Sequence, residues 1–551
     1  MSAVEVLKFG SSVLRSARDL HVAVDEIYRR WRAGFRVLAV VSAFDGVTDE
    51  LVGEVSSVVG TACPDAVAAY VATGEQQTAA LLLGSLLTSG IPSRIIDPRD
   101  IRLVSEGSFI EGTPIDADIS ALDRAWTMYP VLVLPGFYGV DQQGRTMLFG
   151  RGGSDLSALF LAAKLGAACR LVKDVRGVFN ADPAVSTLAH RFSALSWETA
   201  IKVAGPLIQA KALRFAQQHS LTFEVGRPNE TTCTRVGHTQ DEWALPPAAA
   251  RRLGVALVGC GTVGRGVYES IRRYPSAYVI HHVVVRDAER YADVEKVTTD
   301  ASVITAPYVD IVIICATATP QIPPLIAAAL GAGKFVITAN KAAVAAHGPG
   351  LVGQSPTTSR RLSYSAAVGG AVPVLETLTA LRAPIREIRG IINGTCGAVL
   401  DAWASGKTRD EAIRAACAAG FSEADPSRDL SGRDSADKLV LMTAEAFGRW
   451  LAPDDIHTRG IDGIDGDPDG LKLVARATRT PTDTITASVA PERPHANSFL
   501  GQAHGAENRL EIELESGDVI QLRGQGAGRW PTTASIMGDL HEVARSIEVP
   551  G

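Results

Sequence analysis

The chain has 551 residues, of which 46% are hydrophobic and 21% charged, and its formal net charge is −6. It is too long for a single core, and the slightly acidic balance argues against a nucleic-acid-binding protein, which needs a basic surface. The seven cysteines are scattered without a Cys-x-x-Cys pair, which argues against a disulfide framework or zinc site. We find no signal peptide or membrane-length apolar run, and therefore expect a cytoplasmic protein without a membrane partner.

The first 240 residues alternate between strand-like and helix-like patterns. A helical pattern over 17–31 separates the first two predicted strands, and this alternation predicts an α/β fold with a doubly wound parallel sheet. In such a sheet the site is built from the loops at the carboxyl ends of the strands. The predicted strands are 4–9, 36–42, 93–96, 131–134, 170–172 and 222–225.

Three of these loops combine glycine, lysine or arginine, and a few carboxylates. They are the segments 8–12, 150–155 and 173–183. A cationic, glycine-rich pocket with carboxylates suits a nucleoside triphosphate and its magnesium ion. The alternative is that each is an ordinary loop, since Gly-Gly-Ser-Asp alone is also typical of a helix N-terminus.

These segments resemble the aspartate kinase branch of the amino acid kinase family. Lys8-Phe-Gly10 stands where that family opens with Lys-Phe-Gly-Gly, and Thr73-Gly-Glu75 resembles its substrate contact. The resemblance implies phosphorylation of the aspartate side chain by ATP with Mg²⁺. It assigns catalysis to Lys8 and Asp155, aspartate binding to Glu75 and Arg151, and ATP binding to Lys8, Gly10, Lys173, Asp174 and Asp182.

The kinase-like unit departs from the family in two places. Ser11 replaces the second glycine, where a side chain narrows the space for a phosphate, and Leu148-Phe149 replaces a pair that contains threonine. The unit is therefore either an active aspartate kinase or a catalytically inactive module for regulation or dimerisation. The family's regulatory ACT segment does not fit in the short stretch before residue 251, so we predict insensitivity to threonine and lysine.

A second domain is predicted to start at residue 251, after a linker over 241–250. An apolar run over 255–258 leads into Gly259-x-Gly261-x-x-Gly264 and then into a helical pattern. Such glycines allow a tight turn and a close approach of the backbone to a pyrophosphate at the helix N-terminus. We therefore predict a Rossmann nucleotide-binding domain over 251–384, with further strands at 279–285, 309–315 and 335–338 and a helix at 322–330.

The second Rossmann strand ends in Arg286-Asp287. An acidic residue at this position binds the ribose hydroxyls of NAD(H), whereas an arginine accommodates the 2′-phosphate of NADP(H). Because the arginine comes first, the sequence favours NADP(H) over NAD(H). A solvated charge pair is the alternative.

Two lysines further along carry the predicted redox chemistry. Lys341 follows the predicted strand 335–338, while Lys438 lies four residues after Asp434 on a helix that the apolar residues Ala436, Leu439 and Val440 predict to be largely buried. A lysine held by a carboxylate can protonate the alkoxide that forms when an aldehyde is reduced. The alternative is a surface ion pair, which contributes about 0.3 to 0.5 kcal/mol.

The order of motifs in this half resembles that of homoserine dehydrogenases. The motifs are Gly259-x-Gly261-x-x-Gly264, Thr338-Ala-Asn-Lys341, Val368-Gly-Gly370, Asn393-Gly-Thr395 and Glu423-Ala-Asp-Pro426. The resemblance implies NAD(P)-dependent interconversion of L-aspartate 4-semialdehyde and L-homoserine, within threonine and methionine biosynthesis. It assigns catalysis to Lys341, Lys438 and Asp434, and substrate binding to Glu423 and Asp429. It assigns cofactor binding to Gly259, Gly261, Thr262, Val263, Gly264, Arg286 and Lys341.

The resemblance also implies a monovalent cation and an oligomer. Ser365 stands where the family commonly has an acid, so Na⁺ or K⁺ is left with backbone carbonyls near Val368 and Gly370 as weak ligands. We expect an α+β substrate and dimerisation domain over 385–515, a return to the nucleotide domain over 516–551, and a homodimer or homotetramer. A dehydrogenase for a related amino aldehyde, and two binding modules without catalysis, are the remaining alternatives.

Overall fold

The computed structural model describes residues 3–59, 63–186, 188–205, 207–237, 240–245, 251–352, 361–419, 425–464 and 466–548. They form two compact units, one built mainly from residues up to 249 and one mainly from residue 250 onward. Among the helices described, none is long and apolar enough to cross a bilayer.

The first unit is built around a nine-stranded sheet with the order β13-β10-β12-β11-β9-β1-β2-β6-β3. Its central strands are parallel, as the sequence predicted, and nearly all of their residues are buried, because helices cover both faces. The strands of the unit are β1 Val4–Phe9, β2 Arg36–Val41, β3 Ser93–Ile95, β4 Val104–Ser108, β5 Glu111–Asp116, β6 Val131–Pro135, β7 Tyr138–Val140, β8 Thr146–Leu148, β9 Ala168–Val172, β10 Phe192–Ser196, β11 Phe223–Gly226, β12 Cys233–Gly237 and β13 Glu242–Trp243. Its helices are α1 Leu20–Arg32, α2 Val47–Val59, α3 Pro64–Val71, α4 Thr73–Thr88, α5 Ser120–Trp126, α6 Gly153–Leu165, α7 Trp197–Val203 and α8 Ala210–Gln218.

Three parts of this unit differ from the sequence prediction. A separate four-stranded sheet, β5-β4-β7-β8, was missed because its strands are short or polar. The strand β11 is not the last of the unit, since β12 pairs antiparallel with it. The predicted linker at 241 starts too early, because β13 pairs antiparallel with β10 and Trp243 stacks on Phe192 with ring centroids 4.0 Å apart.

The second unit opens with a six-stranded parallel sheet in the order β16-β15-β14-β17-β18-β19. Strand β14 is buried along its whole length, and α9 follows it directly, which is the predicted Rossmann arrangement. The strands are β14 Leu253–Val258, β15 Tyr278–Val284, β16 Val297–Thr298, β17 Ile311–Ile314, β18 Phe335–Thr338 and β19 Leu362–Ser363. The helices are α9 Thr262–Ile271, α10 Ile322–Gly331, α11 Lys341–Val352 and α12 Val374–Ala380.

The rest of this unit is an α+β layer whose six-stranded sheet has the order β21-β23-β22-β20-β24-β25. The helix α16 packs on this sheet through Leu439, Val440 and Leu441, which are fully buried. The strands are β20 Ile385–Ile391, β21 His457–Thr458, β22 Lys472–Arg479, β23 Ile485–Glu492, β24 Glu507–Leu514 and β25 Val519–Gln525. The helices are α13 Gly394–Ala404, α14 Arg409–Ala418, α15 Ser427–Leu430, α16 Arg433–Phe447 and α17 Arg529–Glu548.

The return to the nucleotide domain begins later than predicted. The strand β25 pairs antiparallel with β24 along its length, so residues 519–525 belong to the second sheet. The polar turn at 515–518 is a hairpin and not a domain boundary. The return itself is α17, which packs against α9 and against β18 at the core of the Rossmann sheet.

Candidate active site

The glycine turn between β14 and α9 has three glycines with different surroundings. Gly259 has φ +88°, and a Cβ there would lie 2.7 Å from the backbone of Ala316. A Cβ on Gly264 would lie 2.1 Å from the Gly259 carbonyl oxygen. By contrast, a Cβ on Gly261 would meet nothing within 4 Å. The outer glycines are thus required by the protein's own packing, while Gly261 borders open space at the N-terminus of α9, where a pyrophosphate fits.

The other predicted cofactor residues surround this turn. Thr262 and Val263 form the first turn of α9. Arg286 and Asp287 follow β15 and are both exposed. The Asp287 carboxylate accepts a hydrogen bond of 3.1 Å from the Glu289 amide, so it caps the next turn. Arg286 follows the strand end beside which the ribose of a bound dinucleotide belongs.

Lys341 lies at the carboxyl end of β18 as the first residue of α11. Its neighbour Asn340 fixes this junction from both sides. The Asn340 Oδ1 accepts a 3.1 Å hydrogen bond from the Ala343 amide, and its Nδ2 donates to the Ala316 carbonyl at 3.2 Å. The Lys341 backbone is therefore anchored to the sheet beside the glycine turn.

A single carboxylate joins the two lysines. Asp434 Oδ1 lies 2.9 Å from Lys341 Nζ, and Asp434 Oδ2 lies 2.8 Å from Lys438 Nζ. Lys438 also donates a 2.7 Å hydrogen bond to the Ile392 carbonyl. Asp434 and Lys438 are only 7% and 6% exposed, so this is no surface ion pair.

The charges of this group stabilise one another. Burial opposes ionisation of Asp434, but Lys438 and Lys341 outweigh it and hold the pKa of that carboxyl well below its usual range. Asp434 in turn raises the pKa of Lys341, against the effect of burial. The Asp434 carboxylate therefore holds a lysine side chain at each oxygen, and a positive group beside the substrate suits an oxygen that becomes an alkoxide.

Asn393 connects this group to a second carboxylate. It caps α13 through Oδ1, which accepts a 2.8 Å hydrogen bond from the Cys396 amide. Its Nδ2 donates to Asp429 Oδ1 at 2.7 Å and to Asp434 Oδ2 at 3.0 Å. Burial and the charge of Asp434 raise the pKa of Asp429. Asn393 was absent from the predicted catalytic set, although its Asn-Gly-Thr motif is one of those that carry the resemblance.

Two further predictions concern substrate and cation binding. Glu423 lies outside the described residues. Val368 and Gly370 lie in a turn in which Gly369 and Gly370 have φ of +82° and +60°. Among the residues that the structure describes, no cluster of three or more His, Cys, Asp or Glu side chains could hold a metal ion.

The first unit contains a similar group with the charges arranged the same way. Asp155, at the start of α6, lies 2.8 Å from Lys8 Nζ through Oδ1 and 2.9 Å from Lys173 Nζ through Oδ2. All three side chains are buried. A Cβ on Gly10 would lie 2.7 Å from Lys8 Nζ, so glycine is what allows the ammonium to lie over this turn.

The pKa values of Lys8 and Asp155 are both lowered in this group. Burial is the main cause that lowers the pKa of Lys8 to about 8, with Lys173 adding to it and Asp155 opposing it. Burial opposes ionisation of Asp155, yet Lys173 and Lys8 lower its pKa to about 2. Glu75, on α4, accepts a 3.1 Å hydrogen bond from the Ala43 amide, and burial raises its pKa to about 7.

The remaining predicted kinase residues lie at the surface. Arg151, Asp174 and Asp182 are exposed. Asp174 lies 3.7 Å from Arg15, and Asp182 accepts a 2.8 Å hydrogen bond from the Ala184 amide. The structure thus brings Lys8, Asp155 and Lys173 into direct contact and leaves the other three as candidates at the surface.

Comparison with known proteins decides the family. The family model described as homoserine dehydrogenase matches residues 373–541, and the model of its NAD-binding domain matches residues 259–365. The homoserine dehydrogenase of Corynebacterium glutamicum is 31% identical over 321 residues, which cover 53% of this chain and 72% of that protein. The chain belongs to the homoserine dehydrogenase family.

Other comparisons agree with this membership. The homoserine dehydrogenase of Mycobacterium tuberculosis is 31% identical over 326 residues, covering 54% of this chain and 74% of the relative. The solved structure of a homoserine dehydrogenase from Thiobacillus denitrificans is similar with a TM-score of 0.50 and 28% identity, covering 54% of this chain and 74% of that one. The second unit is therefore an NAD(P)-dependent homoserine dehydrogenase.

The first unit belongs to a different family. Residues 3–220 match the amino acid kinase family, so a kinase domain precedes the dehydrogenase in one chain. This order, a kinase domain followed by the NAD-binding and homoserine dehydrogenase domains, is that of a bifunctional aspartate kinase and homoserine dehydrogenase.

Proposed function

We propose that the group of Lys341, Asp434 and Lys438 is where L-aspartate 4-semialdehyde is reduced to L-homoserine. The observation that carries this proposal is the buried Asp434 carboxylate with an ammonium group on each oxygen. The bound nicotinamide supplies the hydride. The protein must supply a proton and stabilise negative charge on the aldehyde oxygen, and two ammonium groups beside the nucleotide fold serve both needs.

Lys438 is the proton donor in this proposal. Two of its three N–H bonds point to acceptors. One acceptor is the Asp434 carboxylate on the same helix, and the other is the Ile392 carbonyl at the end of β20. These contacts fix the position of Nζ, so the third N–H is available to the substrate oxygen. Lys341 keeps a standing positive charge, since Asp434 raises its pKa, and it attracts the developing alkoxide.

Asp429 and Glu423 are proposed to bind the substrate's α-ammonium group. Asp429 is oriented by the Asn393 amide, which also touches Asp434. One side chain therefore sets the spacing between the carboxylate for the substrate and the carboxylate that holds the lysines. This spacing would select a short amino aldehyde.

A substrate panel tests the assignment. L-aspartate 4-semialdehyde, its longer homologue L-glutamate 5-semialdehyde and an aldehyde of matched length without the amino group are offered to the full chain with NADPH. We expect the first to have the highest kcat/KM, by about a hundredfold over the aldehyde that lacks the amino group, because the half-buried Asp429 carboxylate would lack the ammonium group that it is proposed to bind. Faster reduction of the longer homologue would favour the alternative of a dehydrogenase for a related amino aldehyde.

The cofactor, cation and oligomer proposals are narrower. We propose NADP(H) over NAD(H) because the Arg286 guanidinium is exposed at the end of β15, whereas the Asp287 carboxylate accepts a hydrogen bond from the Glu289 amide.

We propose that Na⁺ or K⁺, if bound, uses the carbonyls of Val368 and Gly370. This predicts little change in the rate of homoserine oxidation when choline replaces sodium. We propose a homodimer or homotetramer, because β25 lies at the edge of its described sheet and a bare edge invites association. Light scattering measures the oligomer.

We further propose that the first unit phosphorylates L-aspartate with ATP and Mg²⁺. This is supported by the Lys8, Asp155 and Lys173 group, in which the lysines can neutralise the transferring phosphoryl charge. The departures Leu148 and Phe149 are buried in apolar clusters, which is compatible with an active pocket. Arg151 with Glu75 would bind aspartate, and Asp174 with Asp182 would line the nucleotide pocket.

The kinase proposal is tested on the full chain by ATP turnover with aspartate. Lys8→Ala should abolish it. Lys164→Ala, at the far end of α6 and paired with the exposed Asp116, is the matched control and should keep full turnover. Absence of aspartate-dependent turnover in the unaltered chain would favour the inactive kinase fold.

A further inference from the structure

The carboxylate of Asp429 is carried by α15, a helix of only four residues. A helix this short cannot hold its own position and depends on contacts with neighbouring elements. Two of these contacts are backbone contacts near Asp429. Its carbonyl accepts a 3.1 Å hydrogen bond from Cys396 Sγ, and the Leu430 carbonyl accepts one of 2.7 Å from the Ile461 amide.

A third contact joins α15 to α16 through opposite charges. Arg428, the residue before Asp429, donates through Nη2 to Asp437 Oδ2. The two partners differ in exposure, because the Arg428 side chain is 58% exposed while that of Asp437 is only 6% exposed. Asp437 lies beside Lys438 in the chain and one turn after Asp434.

The position of Asp437 makes its partner important. Burial raises the pKa of Asp437, Arg428 is the main group that opposes this rise, and the charges of Asp434 and Lys341 also act on Asp437. A buried carboxylate without a cation is strongly destabilising. Were Arg428 absent, Asp437 would compete with Asp434 for Lys341.

We propose that Arg428 and Asp437 form a positioning pair for the dehydrogenase. The pair fixes α15 on α16, places Asp429 for the substrate and neutralises Asp437 so that Lys341 stays with Asp434. This goes beyond an ordinary surface ion pair, which contributes little, because one partner is buried and adjoins the catalytic lysines. The inference rests on the proposed roles of Asp429 and Lys341.

The pair predicts a pattern in the kinetics that a purely structural contact would not give. Loss of the pair should disturb the substrate side of the site and leave the nucleotide turn unchanged, because Arg428 and Asp437 lie on α15 and α16 whereas the glycine turn lies between β14 and α9. The KM for homoserine should therefore rise about tenfold or more, as expected for a lost hydrogen bond between charged groups. The KM for NADP⁺ should stay within about twofold of the unaltered value.

Exchanging the charges of the pair tests the proposal on the full chain. Arg428→Asp and Asp437→Arg are each expected to raise the KM for homoserine about tenfold or more, and the double variant should return it to within about threefold. Because Asp437→Arg could prevent folding, Arg428→Gln, Asp437→Asn and their combination provide a second cycle of nearly unchanged size. In that cycle the KM for homoserine should rise much less in the combined variant than the two single variants would predict if their effects were independent.

Two outcomes would overturn the proposal. In the first, the effects of the two single changes on the KM for homoserine are additive in both cycles. In the second, the KM values for homoserine and NADP⁺ rise equally. Failure of the proposed function is recognised separately, because the unaltered chain would then show no homoserine oxidation.

Discussion

Asp434 lies 2.8 Å from Lys438, one helical turn away along α16, and holds Lys341 with its other carboxylate oxygen. Removing the negative charge leaves two ammonium groups facing each other in a buried site. Asp434→Asn should therefore reduce the free energy of unfolding of the dehydrogenase unit by about 3 to 5 kcal/mol. It should also lower kcat for homoserine oxidation at least about a hundredfold.

Thermal or urea unfolding and steady-state kinetics measure these two effects of Asp434→Asn. Asp410→Asn, which removes an exposed acid on α14, is the matched control and should change neither. Unchanged stability and rate in Asp434→Asn would show that the carboxylate does not hold the lysines together.

The glycine turn gives a prediction with an internal control. A methyl group on Gly261 would enter open space, so Gly261→Ala should fold with unchanged stability but bind NADPH about tenfold more weakly. A methyl group on Gly264 would lie 2.1 Å from the Gly259 carbonyl oxygen, so Gly264→Ala should destabilise the unit by about 1 to 3 kcal/mol. Unfolding curves and fluorescence titration with NADPH separate the two. Wild-type affinity in Gly261→Ala would place the pyrophosphate elsewhere.

Arg286 determines the preferred cofactor in our proposal. Arg286→Ala should raise the KM for NADPH about tenfold, through loss of a charge-assisted hydrogen bond to the 2′-phosphate, and leave the KM for NADH unchanged. The KM values for NADPH and for NADH are measured for Arg286→Ala and for the unaltered chain. Arg252→Ala, an exposed arginine at the opposite end of β14, serves as control. Equal effects on both cofactors would mean that Arg286 does not contact the 2′-phosphate.

The pH dependence of aspartate phosphorylation follows from two groups. Lys8 must be protonated to neutralise phosphate, and its pKa is lowered to about 8, so kcat/KM should fall as the pH rises through about 8. Glu75 must be ionised to hold the substrate ammonium, and its pKa is raised to about 7, so kcat/KM should also fall as the pH drops through about 7.

The expected profile of kcat/KM is a narrow bell between these two limits. Glu75→Gln should be much less active and should lose the acid limb, whereas the alkaline limb should remain. If kcat/KM stayed constant from about pH 6 to about pH 9, neither the protonation of Lys8 nor the ionisation of Glu75 would control aspartate phosphorylation.

Much of this arrangement was predictable from sequence because the relevant signals are local. The glycine spacing predicted the turn after β14, and the separation of four residues predicted that Asp434 and Lys438 share a helix face. The sequence did not predict features that depend on tertiary contacts. The two-residue strand β13 has no periodicity to detect, and the contact between Arg428 and Asp437 depends on how α15 packs on α16.

Asn393 illustrates the same limit. It caps α13, a role that asparagine commonly takes at a helix N-terminus. Its second role, joining Asp429 to Asp434, depends on contacts with residues that lie 36 and 41 positions further along the chain. A motif shows that such an amide is present, but only the fold shows which carboxylates it contacts.

The most direct test of the account is homoserine oxidation by Lys438→Ala, measured together with NADPH affinity in the same preparation. We predict a loss of kcat of at least about a thousandfold with an unchanged NADPH dissociation constant, while Lys407→Ala, an exposed lysine nearby in the same domain, keeps full activity. Turnover by Lys438→Ala within about tenfold of the unaltered chain would contradict the role of Lys438 as proton donor.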